Sequence, residues 1–176
     1  MRRITLFFIL FLLFSVSAIW AQKWESSKEF EKIFLSADIE GTFVLYNVSE
    51  NILTGYNQNR ANTRFVSGST FKIPHSIIAL AAKAVNSVDE IIPYADNPDT
   101  PDSQLKRISL RQAIKISDVT AYQNLARKIG LNRIKDELIK INYGNCETGI
   151  EVNAFWHNGA LEITPVEQLD RKSTRL

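Results

Sequence analysis

Two short strand-forming runs, TFVLYN (42–47) and ILTGYN (52–57), stand early in a chain that afterwards reads largely as helix. Val48-Ser49-Glu50-Asn51 lies between them, and an antiparallel hairpin is the simplest reading. Two strands alone make a poor sheet, so the hairpin has to find further strands or lie against helices. Ahead of it, Ser26 with Glu29 fits a capping box, and Phe30, Ile33 and Phe34 recur at helical spacing. Behind it, the Ala-, Ile- and Leu-rich stretch from Phe71 to Val85 predicts a buried helix. Residues 93–104, PYADNPDTPDSQ, carry three prolines and three aspartates and predict a surface loop. Ser109 with Gln112 caps a short helix through Ile116, Thr120 to Ile129 is helical up to Gly130, and Asn132 opens another helix to about Ile141. Thr164-Pro165-Val166-Glu167 opens one more, with proline in the first turn. The order predicts an α/β chain of the α+β kind, helices packed on an antiparallel sheet, which ends before the strands that the hairpin should pair with.

At 176 residues the chain suits one domain or part of one. Its first residues are of another kind. Met1-Arg2-Arg3 precedes the 17-residue apolar run ITLFFILFLLFSVSAIW, and Ala18 or Ala21 stands where cleavage would fall. That is the layout of a secretory signal peptide, residues 1–21, and it predicts export to the periplasm with no stable membrane association after cleavage. A membrane anchor is the alternative, for which the run lies at the lower edge of length. Without Arg2 and Arg3 the formal charge falls from +2 to about zero. Arg171, Lys172 and Arg175 crowd the last six residues, so the body between is mildly acidic and shows no footprint for nucleic acid or an anionic membrane. A domain over 22–170 and an aberrant tail over 171–176 follow from this division. Cys146, the single cysteine, cannot form an internal disulfide and reads as a small packed residue. His75 and His157 are the only histidines. Neither has a ligand at metal spacing, so no metal site is expected, with His75 on a semi-exposed helix face and His157 in a loop.

Residues 65–75 read FVSGSTFKIPH. Ser69 and Lys72 stand three apart at a helix start and so share a face. The free N–H groups of the first turn favour negative charge nearby, which eases use of a serine oxygen as a nucleophile. An apolar setting lowers a lysine pKa. A neutral amine can take the serine proton, or react with carbon dioxide to give a carbamate, a stronger base. Alone, Ser-x-x-Lys is a weak signal, equally a helix cap beside a surface lysine. Ser103-Gln104-Leu105-Lys106 matches it too, and reads as accidental. Ser117-Asp118-Val119 places a second serine between two helices, where it could equally be an N-cap. Tyr143-Gly144-Asn145 is a polar turn, and Trp156 brings an indole N–H that could serve a charged group in a dry pocket or merely pack in the core.

Taken in order, Ser69-Thr70-Phe71-Lys72, Ser117-x-Val119, Tyr143-Gly144-Asn145 and Phe155-Trp156 resemble the class D, oxacillinase-type, serine beta-lactamases. GTFVLYN (41–47), STFKIPHS (69–76) and AYQNLARKIG (121–130) look like that family as well, and the likeness runs over nearly all of 24–169. Ser-x-x-Lys is shared with penicillin-binding proteins and class A enzymes, whereas the Tyr-Gly-Asn turn is more specific to class D. The resemblance implies the penicillin-binding-protein-like fold with its C-terminal strands missing. It also implies beta-lactams as substrates and no cofactor beyond carbon dioxide. By the same likeness Ser69 forms an acyl-enzyme, carboxylated Lys72 is general base, and Ser117 relays the proton to the lactam nitrogen. Phe71 and Val119 keep the lysine pocket apolar, Trp156 hydrogen-bonds the carbamate, and the Ser69 N–H is half of an oxyanion hole. Two departures stand out. The family's downstream Lys-Thr/Ser-Gly strand has no counterpart, since Lys172-Ser173-Thr174 lacks the glycine and comes too early, and the 86–104 region differs from the family pattern. Two other readings share the serine: a sensor domain that is acylated and stays so, and a cell-wall peptidase, against which the Tyr-Gly-Asn turn and Trp156 argue.

Overall fold

The computed structural model describes residues 23–97 and 99–169. The expected signal segment and the tail over 171–176 lie outside them.

The hairpin forms as expected, with β2 (Phe43–Asn47) antiparallel to β3 (Ile52–Tyr56). A strand that sequence reasoning missed, β1 (Lys23–Ser26), pairs parallel to β3 on its other side, giving the order β1-β3-β2. Because Ser26 is consumed by β1, the helix cap moves one residue on. Ser27 caps α1 (Lys28–Ser36) by accepting the Phe30 N–H, so the expected Ser26–Glu29 box does not form. Phe30 packs on Phe43 at 4.3 Å between ring centroids, and Phe34 stacks on Tyr56 at 5.0 Å, which fixes α1 against the sheet. No residue of α1 is fully buried, and Ile33, Leu35 and Leu45 stay more than half exposed.

A short helix, α2 (Gln58–Ala61), leads to β4 (Phe65–Val66) and then a 3-10 turn, Gly68–Phe71, which runs straight into α3 (Lys72–Ala81). Next come β5 (Ile91–Tyr94) and β6 (Lys106–Ser109), paired antiparallel. The expected loop over 93–104 is therefore part strand. Pro93 sits in β5, which this two-stranded ribbon tolerates because every strand in it is an edge. Of the second Ser-x-x-Lys match, Ser103 lies in the exposed connection, while Lys106 opens β6 with its side chain exposed and paired with Asp96.

The remaining helices are α4 (Leu110–Lys115), α5 (Val119–Ile129) and α6 (Leu131–Ile141). Ser109 and Gln112 make the expected capping box of α4. Gly130, with φ +87°, takes a conformation that other residues resist and joins α5 to α6. Finally β7 (Glu162–Ile163) pairs antiparallel with β4, and α7 (Pro165–Leu169) follows. The core lies between α3, α5, α6 and the 155–163 segment, around Phe71, Ile78, Tyr122, Leu125, Ile134, Leu138, Phe155 and Trp156.

Candidate active site

The Ser69-bearing turn is held from behind by a distant part of the chain. Ser67 N–H donates to Leu161 O and Gly68 N–H to Trp156 O. Gly68 has φ +54°, a left-handed conformation that turns the chain into the 3-10 segment at no steric cost. Ser69 is then left exposed at the surface, while the Phe71 ring, two residues on, is fully buried.

Lys72 begins α3 on the buried side and is only 2% exposed. Its Nζ lies 3.1 Å from Ser69 Oγ and 3.1 Å from Ser117 Oγ. The two hydroxyls are 3.5 Å apart. The amine thus reaches two exposed hydroxyls from beneath them. Burial pulls its pKa below the ordinary lysine value, and the nearby Asp118 carboxylate offsets part of that shift. The face of Tyr122 lies 5.8 Å from Nζ.

Ser117 gets its place from both sides. It has φ +54°, uncommon for a residue with a side chain. The following Asp118, not Ser117, is the N-cap of α5: Oδ1 accepts the Ala121 N–H and Oδ2 accepts the Tyr94 hydroxyl at 2.7 Å. Burial, with help from Asp118, pushes Tyr94 up to about 12. Thr120 donates to Asp96, and the Asn124 amide donates to Ala95 O. The β5–β6 ribbon therefore grips the start of α5 on which Ser117 is mounted. Val119, the first residue of α5, is 40% exposed.

Tyr143, Gly144 and Asn145 hold the segment that supports the serine and lysine. Tyr143 is buried against Phe71, with ring centroids 5.7 Å apart. Asn145 brackets β7: its N–H donates to Glu162 O, its Oδ1 accepts the Glu162 N–H, and its Nδ2 donates to Ala160 O. A Cβ on Gly144 would stand 2.1 Å from Glu162 O, and its φ is +56°, so only glycine fits. Arg64 and Gln168 complete the bracket. Arg64 donates to Gly144 O and pairs with Glu167, while Gln168 donates to Thr70 Oγ1. Neither residue was singled out from the sequence.

Trp156 is fully buried and packs against Phe71, His75 and Phe155. Its indole N–H finds no partner among the described residues. His75 corrects the sequence reading: the semi-exposed face is in fact fully buried, stacked on Phe71 at 5.2 Å. It stands three residues from Lys72, on the same inward face of α3. Burial first, and Lys72 second, hold its pKa down to about 3, so the ring is neutral. His157 lies in an exposed turn, as expected. Cys146 is partly buried and its thiol points at the Leu138 and Tyr143 carbonyls. Among the described residues no group of three His, Cys, Asp or Glu side chains is placed to hold a metal ion.

A buried amine of lowered pKa under two exposed hydroxyls is the equipment of a serine acyl-transfer site that has no histidine base. The chain belongs to the penicillin binding protein transpeptidase domain family, whose model matches residues 29–173. Within it, the relatives are class D beta-lactamases. Beta-lactamase OXA-5 of Pseudomonas aeruginosa is 32% identical over 91% of this chain and 60% of its own length. Beta-lactamase OXA-48 of Klebsiella pneumoniae is 33% identical over 85% of this chain and 56% of its own. Among solved structures, FUS-1 (OXA-85), a class D beta-lactamase from Fusobacterium nucleatum subsp. polymorphum, superposes with a TM-score of 0.74 at 40% identity, over 81% of this chain and 60% of that one. The chain thus spans about 60% of the length of the relatives it matches.

Proposed function

We propose that this chain contributes the serine–lysine half of a beta-lactam-hydrolysing site. One observation carries the reading: an amine only 2% exposed lies 3.1 Å from both Ser69 Oγ and Ser117 Oγ. In its neutral form Lys72 takes the Ser69 proton, and the freed oxygen attacks the lactam carbonyl. The ring C–N bond breaks, Ser117 passes a proton to the departing nitrogen, and an ester on Ser69 remains. Water then cleaves the ester. The Ser69 N–H, at the start of the turn, supplies one oxyanion donor.

Deacylation calls for a stronger base than a buried amine. The neutral amine attacks carbon dioxide, a proton leaves to solvent, and Lys72 becomes a carbamate. Trp156, whose buried N–H lacks a partner among the described residues, is the donor that suits such an anion. The Lys-Thr/Ser-Gly strand that the resemblance calls for is not among these 176 residues. Export to the periplasm belongs to the same proposal and rests on the pattern of residues 1–21.

The test is turnover of a chromogenic cephalosporin with and without bicarbonate, read beside intact mass. Ser69→Ala is expected to abolish both turnover and the covalent adduct, and bicarbonate is expected to speed the wild type. Turnover that survives Ser69→Ala refutes the mechanism. An adduct on Ser69 that persists for hours refutes the hydrolase reading in favour of a sensor.

A further inference from the structure

Buried polar atoms without a protein partner are rare, and each costs roughly 1–3 kcal/mol. Among the described residues the side chains that carry them are Ser67, His75, Arg127 and Trp156. Ser67 adjoins the nucleophile turn, and the two rings pack on each other 5.4 Å apart. His75 bears two such atoms, Nδ1 and Nε2. A phenylalanine or leucine would fill that space without the cost, so the imidazole asks for a polar neighbour that the described residues do not supply.

The direction of that neighbour follows from shared contacts. His75 follows Lys72 by three residues on the inward face of α3. The Tyr122 ring touches both: its centroid is 5.3 Å from the imidazole and 5.8 Å from Lys72 Nζ. Imidazole and amine thus share the Tyr122 ring as a neighbour, and the imidazole packs on the indole, so the three groups border the buried volume behind Ser69. A bare amine brings only donors and one lone pair to that volume. A carbamate brings two oxygens, which are acceptors, while the indole N–H and the N–H of a neutral imidazole are both donors.

We infer that His75 is a positioning residue for the carbamate proposed on Lys72, its ring N–H donating to one carbamate oxygen beside the Trp156 N–H. This rests on the carbamate reading above. Its chemistry is that of the preceding section: carbon dioxide adds to the Lys72 nitrogen, one N–H proton leaves to solvent, and the resulting anion is held by the two buried ring donors. His75 does not touch the lactam. It sets how firmly the base is held in its active form.

The experiment is a titration of the full chain with 13C-labelled bicarbonate, reading the carbamate carbon by NMR, for wild type, His75→Phe and His75→Asn. Phenylalanine keeps the stacking on Phe71 and Trp156 but has no donor, and asparagine restores an N–H. Half-saturation is expected to rise about ten-fold or more in His75→Phe, the weight of one hydrogen bond to a charged acceptor. In His75→Asn it should stay near the wild-type value. If His75→Phe does not fold, His75→Leu against His75→Asn makes the same comparison. Equal half-saturation with and without a donor at 75 overturns the assignment while leaving the carbamate standing. A wild type with no carbamate signal overturns both, and thereby marks the failure as that of the carbamate reading.

Discussion

Replacing His75 by phenylalanine should remove an acid sensitivity from the fold. The imidazole is fully buried, and its surroundings lower its pKa from 6.5 to about 3. Burial is the larger cause, and the neighbouring Lys72 adds to it. Phe71, Tyr122 and Trp156, the other groups against the ring, carry no charge at these pH values. The unfolded chain takes up the histidine proton as pH drops below about 6.5, whereas the folded chain resists until about pH 3. Unfolded molecules thus bind more protons throughout that window. The stability tied to a neutral ring is complete above pH 6.5 and is lost progressively as pH falls from 6.5 to 3. At about 1.36 kcal/mol per pH unit, the loss reaches roughly 2 kcal/mol at pH 5 and is on the order of 5 kcal/mol near pH 3. Urea unfolding of wild type and His75→Phe at pH 7.5 and pH 5, in decarbonated buffer, measures it. Acidic groups common to both proteins cancel in the difference. The expected result is a pH-dependent drop about 2 kcal/mol smaller in the variant. Equal drops in the two proteins would refute the reasoning, because they would mean that this ring is already wet, or already charged, in the folded state.

Gly144→Ala should be among the most damaging single-methyl changes in the chain. The added carbon would meet the Glu162 carbonyl at 2.1 Å at a positive φ, so a loss of about 3 kcal/mol or more is expected by thermal unfolding, and a wild-type melting point would show that the β7 bracket yields freely. Tyr94→Phe removes the hydroxyl that Asp118 accepts at 2.7 Å. It should cost about 1.5–3 kcal/mol in the same assay, and a change within error would show that the β5–β6 ribbon does not brace Ser117.

The serine–lysine pair was legible because three-residue spacing on a helix puts two side chains on one face, and the structure brings their polar atoms to 3.1 Å. The same spacing rule, run on by one more step, would have turned His75 inward as well. Lys72, His75, Ile78 and Ala79 form a single buried stripe. The polarity of histidine hid what the periodicity said. β1 was illegible for another reason: KWES carries one large apolar residue and gains its strand only by pairing with β3, a contact that local sequence does not report. The β5–β6 ribbon was masked by Pro93 and by the turn-rich connection behind it. Tyr143-Gly144-Asn145 could be read as a turn, but its grip on β7 depends on residues far along the chain.

Two main-chain bonds, from Ser67 and Gly68 to Leu161 and Trp156, shape the turn that presents Ser69. During synthesis this means that the first half of the chain leaves the ribosome without a finished nucleophile. The turn can settle only after the stretch through residue 163 has emerged and β7 has closed on β4. Long-range closure of this kind slows folding. A pause or a cut upstream of Trp156 would therefore leave a serine and a lysine correct in sequence and three-dimensionally idle.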